Sequence, residues 1–387
     1  MAPESTGLAL GALNAQVSAT ATVFGRDPEW VLSFDRDGRL LTRATEDSFE
    51  KRALDSRLLR RDRSDGSRWR ALDDAERRTV FAEALERAAE TAADPTAPSA
   101  LRERLESEVL PWTVDRLLAE EARFRAAYPW PISILPPDRY RSVVLQATEG
   151  CTWNRCTFCS FYQDRPFRAA TPEAFRQHAE AVRGFLGRDA ARRPAIFLAD
   201  GNALALGNRR LRPLIEIAKE VFPGRPFASF LDVYTGTRHD PLDWPELAAL
   251  GLEQVAIGME TGLDELLRWV NKPGSRDELA ALVAELKAAG LALSLIVMIG
   301  LGGQSFRTRH REATLDALLA MPLDRRDLIY LSPFVEGEGS AYAARRAEEG
   351  SAPLTPAETE AETTVWTETL RARGRRVGRY DIREFVY

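Results

Sequence analysis

The chain has 387 residues, a formal net charge of −5, and is 44% hydrophobic and 29% charged. A chain of that length buries a large core without disulfide staples, and its charge offers no general attraction to nucleic acid or an anionic membrane. No apolar run reaches the roughly 20 residues that span a bilayer. The opening MAPESTGLALGALNAQ lacks a basic stretch and its apolar part is broken by glycine, so no signal peptide is read and the cytoplasm is the expected compartment. Lysine occurs only at Lys51, Lys219, Lys272 and Lys287. Arginine supplies the rest of the positive charge, which reads as a coding bias rather than phosphate recognition.

Residues 1–140 form an N-terminal α+β region. WVLSFDRDGRLLTRATE is a hairpin whose Asp-Arg-Asp-Gly turn lets Gly38 take a positive φ. The segment 51–70 holds eight Lys/Arg against three Asp, and reads as a charged, solvated surface without the interleaved aromatics of a nucleic-acid patch. DDAERRTVFAEALERAAETAA and TVDRLLAEEARFRAAYP have helical apolar spacing, with Pro95 and Pro129 as stops.

From 141 to 340 the pattern changes. Six short apolar runs recur: VVLQA, AIFLAD, FASFLD, QVAIGM, LSLIVMI and LIYLSP. They are near-continuously apolar, as parallel strands buried on both faces must be. Helical stretches lie between them: Thr171-Pro172-Glu173 opens one, and Gly251 and Gly290 stand where helix C-caps belong. Repeated β-α units with right-handed crossovers give an α/β structure with a parallel sheet, open or a partial barrel. Residues 341–387 read as a C-terminal extension, a helix over PAETEAETTVWTETLRARG and a strand-like IREFVY.

The three cysteines, Cys151, Cys156 and Cys159, fall just past the first parallel strand, on the loop entering its helix. In barrels of this class, functional groups collect at the C-terminal ends of strands. An odd number of thiols speaks against a disulfide framework. Thiolates bind soft metals. A structural zinc would want a fourth ligand, yet the histidines are His178, His239 and His310, none beside the loop. A [4Fe–4S] cluster is the alternative: three cysteines leave one iron without a protein ligand, open to another molecule.

The loop EGCTWNRCTFCSFY resembles that of radical S-adenosylmethionine (SAM) enzymes, whose usual motif is C-x3-C-x2-C with an aromatic before the last cysteine. Phe158 holds that position, and one extra residue separates Cys151 from Cys156, giving C-x4-C-x2-C. The run C-x-W-N-R-C-T-F-C resembles more narrowly a branch of predicted single-cluster Fe–S oxidoreductases. The resemblance implies a partial (β/α)6 TIM-like barrel over 141–340 and a [4Fe–4S] cluster on the three cysteines. It further implies SAM on the open iron, reductive cleavage to a 5′-deoxyadenosyl radical that takes hydrogen from a substrate, and a flavodoxin- or ferredoxin-type electron donor.

The remaining assignments follow the same resemblance. Asp200-Gly201-Asn202 stands where the family carries a Gly-Gly-Glu-like turn for the SAM amino group, although Asp-Gly-Asn is ordinary in any β-α turn. Glu260, in IGMETG, resembles the ribose-binding acid, since a carboxylate accepts two hydroxyl hydrogen bonds. Ile299 and Gly300, in VMIGLGGQS, resemble the region that borders the adenine; Gln304 stands where Glu is common and takes no charge-dependent role. Asp232 and Tyr234 are candidates for a substrate pocket. With no spare cysteine there is no second Cys-ligated cluster and no methyl-carrying thiol, and residues 1–140 contain no histidine for a histidine-on cobalamin module. A non-catalytic Fe–S electron carrier or redox sensor and a zinc-stabilised binding protein are the rival classes.

Overall fold

The computed structural model describes residues 12–26, 28–64, 69–236, 242–385 and 387. The first eleven residues of the opening stretch, and His239, lie outside them. The chain divides into two compact units. The first comprises the described residues up to Pro131, with Ala181–Arg193 and Tyr387; the second comprises Ile132–Glu180 and Pro194–Phe385.

The first unit is an antiparallel meander in which each strand pairs with its neighbours in sequence. Its strands are β1 (Asn14–Val17), β2 (Ala21–Arg26), β3 (Trp30–Asp35), β4 (Leu40–Thr45), β5 (Ser48–Arg52), β6 (Leu58–Asp62) and β7 (Arg70–Ala71). Three helices follow: α1 (Asp74–Ala93), α2 (Ser99–Arg104), which runs on into one wide π turn over Leu105–Val109, and α3 (Val114–Ala127). The expected hairpin is β3–β4, with Gly38 at φ 82°. A capping box starts α1: Asp73 Oδ1 accepts from Glu76 N at 2.8 Å, and Glu76 Oε2 accepts from Asp73 N at 3.0 Å. Phe24, Leu32, Phe34, Leu40, Phe81 and Leu105 share one buried core.

Sequence pattern missed most of this sheet, and β5 shows why. Its buried residues are Ser48, Glu50 and Arg52, while Phe49 and Lys51 are half-exposed. The inward face is polar: Glu50 Oε1 accepts from Ser48 Oγ and Arg60 Nε, both at 2.8 Å, while Glu50 Oε2 is buried without a partner. The basic segment 51–70 is therefore not simply a solvated surface. Burial lowers Arg52 to about 10, and Arg52 donates to the carbonyls of Leu40 and Ala53.

The second unit holds β8 (Val143–Gln146), a small β9 (Thr148–Glu149) and β10 (Arg168–Ala169) pair, α4 (Pro172–Leu186), β11 (Ile196–Ala199), α5 (Gly207–Val221), β12 (Phe227–Leu231), α6 (Val233–Gly236) and α7 (Trp244–Ala249). It continues with β13 (Leu252–Glu260), α8 (Asp264–Trp269), α9 (Arg276–Ala288), β14 (Ala292–Ile299), α10 (Gly303–Ala320), β15 (Leu328–Pro333), α11 (Ala341–Glu348), α12 (Pro356–Ala372) and β16 (Val377–Arg379). The last residues of α4 are counted with the first unit. All six apolar runs are strands. Together with β16 they make one parallel sheet in the order β16-β15-β14-β13-β12-β11-β8, an α/β array without closure between its two edges among the described residues.

The strand expected near the C-terminus lies earlier than the sequence pattern suggests. Val377–Arg379 pairs parallel with β15, whereas Ile382–Glu384 is a 3-10 turn. Asp381 Oδ1 accepts from Arg383 N at 3.1 Å and also from the Arg383 side chain, which bends the chain out of extended geometry. Among the described residues no helix is long and apolar enough to cross a membrane.

Candidate metal and cofactor site

The C-terminal ends of the parallel strands supply the site. The loop after β8 and β9 carries the cysteines, and it is held in place by main-chain contacts rather than by regular structure. Thr157 N donates to Val270 O at 3.0 Å, Trp153 Nε1 to Asn271 O at 2.7 Å, and Asn271 Nδ2 to Arg155 O at 2.8 Å. Asn154, at φ 51°, donates from Nδ2 to Tyr162 O at 2.6 Å, so a short amide supports the left-handed turn it occupies. Phe158 packs against the cluster of Leu266, Trp269, Val270, Leu301, Phe306 and Tyr342.

One cavity of about 160 Å³ is lined by Cys151, Cys156, Phe158, Cys159, Gly201, Asp232, Glu260 and Lys272, together with apolar side chains. Burial pushes Cys156 up to about 12, and burial likewise raises Cys159. Lys272 acts in the opposite direction on both thiols, favouring thiolate. Among the described residues no three His, Cys, Asp or Glu side chains are gathered around the place of a single metal ion. A cubane asks for something else, one thiolate for each of three separate irons, so its ligands ring a space rather than converge on a point.

Glu260 ends β13 at φ 58°, a left-handed conformation that costs a non-glycine residue of order 1 kcal/mol. The strand register shifts between Gly258 and Glu260. Glu260 Oε1 lies 3.1 Å from Lys272 Nζ, while Oε2 is buried with no partner. A Cβ at residue 258 would stand 2.4 Å from Glu260 Oε1, so a side chain there would push the carboxylate out of its present place. The Lys272 ammonium is held above its ordinary value: burial opposes this, but the charges of Glu260, Cys156 and Asp232 outweigh it.

The Asp200-Gly201-Asn202 turn reaches the cavity only through Gly201. Asp200 is buried and its Oδ2 accepts from Arg165 Nη2 at 3.0 Å. Burial nevertheless raises it to about 6, against the lowering influence of Arg165 and the Tyr162 hydroxyl. Asn202 Nδ2 donates to Thr152 Oγ1 at 3.3 Å, to Thr235 Oγ1 at 2.7 Å and to Asp232 Oδ2, which leaves Asn202 Oδ1 buried without a partner. Asp232 thus lines the cavity and anchors this network, accepting also from Thr235 N at 2.6 Å. Tyr234 does not line it; its ring lies 5.8 Å from that of Trp153.

Ile299 and Gly300 border a separate cavity of about 220 Å³ with Phe334, Tyr342 and Leu354. Gly300, Gly302 and Gly303 all have positive φ, and Gly302 N donates to Tyr342 Oη at 2.7 Å. Gln304 donates to both Glu358 oxygens, a structural tie to α12. His178 Nε2 accepts from Gln146 N at 3.0 Å and so fixes α4 on β8.

Sequence reasoning passed over Lys272, Tyr162 and Arg165. The signal for Lys272 was its rarity: in a chain with four lysines, one retained beside the candidate ribose acid stood out.

The donor set fits a cluster and SAM. Three soft thiols share a cavity with Glu260, whose buried Oε2 has acceptor capacity that the protein leaves unused.

Residues 145–316 match the family model of the Radical SAM superfamily. No curated protein matches the chain. Among solved structures, the Escherichia coli coproporphyrinogen III oxidase HemN is similar at 16% identity and a TM-score of 0.45, covering 61% of this chain and 54% of that one. Methylornithine synthase (PylB) is similar at 16% identity and 0.43, covering 76% and 74%. The cobalamin-dependent enzyme OxsB is similar at 16% and 0.37, covering 53% of this chain. The chain spans 29% of the length of OxsB and about half that of HemN.

Proposed function

We propose, from the match of residues 145–316 to the Radical SAM superfamily model, that the chain is a single-cluster radical SAM enzyme whose Cys151, Cys156 and Cys159 hold a [4Fe–4S] cluster. The parallel sheet of the second unit is then read as the partial (β/α)6 barrel of that family. When bound, the cluster and SAM supply one-electron cleavage of the S–C5′ bond and, with it, removal of hydrogen from a substrate carbon.

The chain's own residues prepare that chemistry. The three thiols deprotonate to bind iron, and the Lys272 ammonium lowers the cost of gathering negative charge in a buried cavity. Glu260 Oε2 is free to accept a ribose hydroxyl, while Lys272 holds Oε1 and thereby the rotamer. Asp200 is occupied by Arg165, so it secures the turn; Asn202 braces the turn from behind through Thr152, Thr235 and Asp232, and Gly201 forms the edge that receives the SAM amino group. Gly300 offers a side-chain-free edge and Ile299 an apolar one to the adenine, in the cavity separate from that of the cysteines, and Phe158 seals the loop against α8. A flavodoxin- or ferredoxin-type donor supplies the electron.

The observation that carries this reading is the shared cavity of three cysteines and Glu260 with its unused oxygen. Anaerobic reconstitution with iron and sulfide tests it. About four irons per chain and 5′-deoxyadenosine from SAM after reduction are expected, both lost in Cys156→Ala. A cluster without SAM cleavage would make the chain an electron carrier, and zinc uptake without iron would make it a zinc protein.

A further inference from the structure

The cavity that holds the cysteines has a second wall that they do not use. Ile134, Phe230, Ile296 and Tyr380 line it, and with Ala256 and Tyr330 they belong to one apolar cluster. Tyr380 is 2% exposed, and its hydroxyl is buried with no hydrogen-bond partner. The adjacent phenol is different: Tyr330 Oη donates to Asp138 Oδ1 at 2.8 Å and accepts from Asp138 N at 2.9 Å. An unbonded buried hydroxyl is destabilising, by about 1–3 kcal/mol, and a phenylalanine would fill the same space without that cost. Of the three charged groups on the cavity, Lys272 pairs with Glu260 Oε1, Asp232 accepts from Thr152, Asn202 and Thr235, and Glu260 Oε2 is left for the ribose. Phe230 and Ile296 lie within residues 145–316, whereas Ile134 and Tyr380 lie outside them, so the family match covers only part of this wall.

We propose that this wall is the substrate compartment, and that the substrate is a largely hydrocarbon molecule bearing one uncharged hydrogen-bond acceptor that takes the O–H of Tyr380. The proposal rests on the radical SAM reading, which makes the cavity a place where a carbon loses hydrogen. Apolar walls hold such a carbon away from water, and a single fixed donor orients it without requiring a charge to be buried unpaired. A substrate with a carboxylate or phosphate in this compartment would leave that charge without a partner. Tyr380 acts here as a positioning residue.

The test uses the reconstituted holoenzyme and two small probes, acetophenone and α-methylstyrene, matched in shape and differing in the carbonyl acceptor. Affinities are read by ligand-observed NMR for the wild type and Tyr380→Phe. Acetophenone should weaken about 3- to 10-fold in the variant, the equivalent of one neutral hydrogen bond, while α-methylstyrene is unchanged. The phenylalanine keeps the ring, so the variant should fold at least as stably as the wild type. Equal effects on both probes, or failure of both to bind the wild type, overturn the proposal while SAM cleavage by the wild type stands. Absence of 5′-deoxyadenosine from the wild type instead removes the reading beneath it.

Discussion

Lys272 and Glu260 form the buried charge pair on which the proposed site turns, and replacing Lys272 with methionine is the sharpest perturbation of it. The side chains are 12% and 8% exposed, with Nζ and Oε1 separated by 3.1 Å. At that distance the attraction is about 5 kcal/mol for an effective dielectric constant near 20, partly offset by desolvation of both groups. Lys272→Met leaves a buried carboxylate with neither oxygen partnered, which costs about 3–5 kcal/mol. Glu260→Gln strands the ammonium in the same way. The double variant, neutral at both positions, should lose about 2–3 kcal/mol less than the two single losses added together. Urea unfolding of the anaerobically purified apoprotein measures all four species. Losses that add to within about 0.5 kcal/mol would refute the argument, because they would mean that the two groups do not feel each other.

Other outcomes follow from the same geometry. Asp200 is raised to about 6 in the folded chain by burial, so its unfavourable contribution is absent below the unfolded value near 4 and grows as pH rises to about 6. The stability of Asp200→Asn relative to wild type should therefore increase by about 2 kcal/mol between pH 4 and 7 in urea melts, and a flat difference would contradict the burial argument. His310 is lowered to about 4 by burial, and its ring nitrogens are bonded to Thr261 Oγ1 at 2.7 Å and Met298 O at 2.8 Å. Its ring resonances should not titrate in NMR between pH 8 and 5; a midpoint near 6.5 would show the pocket to be wet. A Cβ at residue 201 would meet the Tyr162 ring at 2.8 Å and Gly150 O at 2.9 Å. Gly201→Ala should cost about 1–3 kcal/mol by overpacking and lower iron uptake on reconstitution; full uptake would separate this turn from the cysteine loop.

The parallel sheet was legible because strands buried on both faces must be apolar at every position, and Val143–Gln146 and Ile196–Ala199 are buried throughout. The first unit was not, because β5 turns Ser48, Glu50 and Arg52 inward and pairs them internally, which inverts the hydropathy signal that marks a strand. The final strand was misplaced for a local reason: aromatic, β-favouring residues at the end of the chain compete with an Asp381 turn that only side-chain geometry reveals. For the site, the cysteine loop and Glu260 announced themselves by spacing and motif. Asp200 and Asn202 did not disclose that their polar atoms are largely engaged by Arg165, Thr152 and Thr235, since those partners lie far away in sequence. Tyr380 gave no signal at all, because an unpartnered hydroxyl is a property of packing.

The central claim is a cluster held at three irons with the fourth open to SAM. Electron paramagnetic resonance of the reconstituted, dithionite-reduced protein, recorded with and without SAM, addresses it directly. The account predicts a reduced [4Fe–4S] signal whose g-values shift when SAM is added, and no such signal in Cys156→Ala. A cluster signal that SAM leaves unchanged would contradict it.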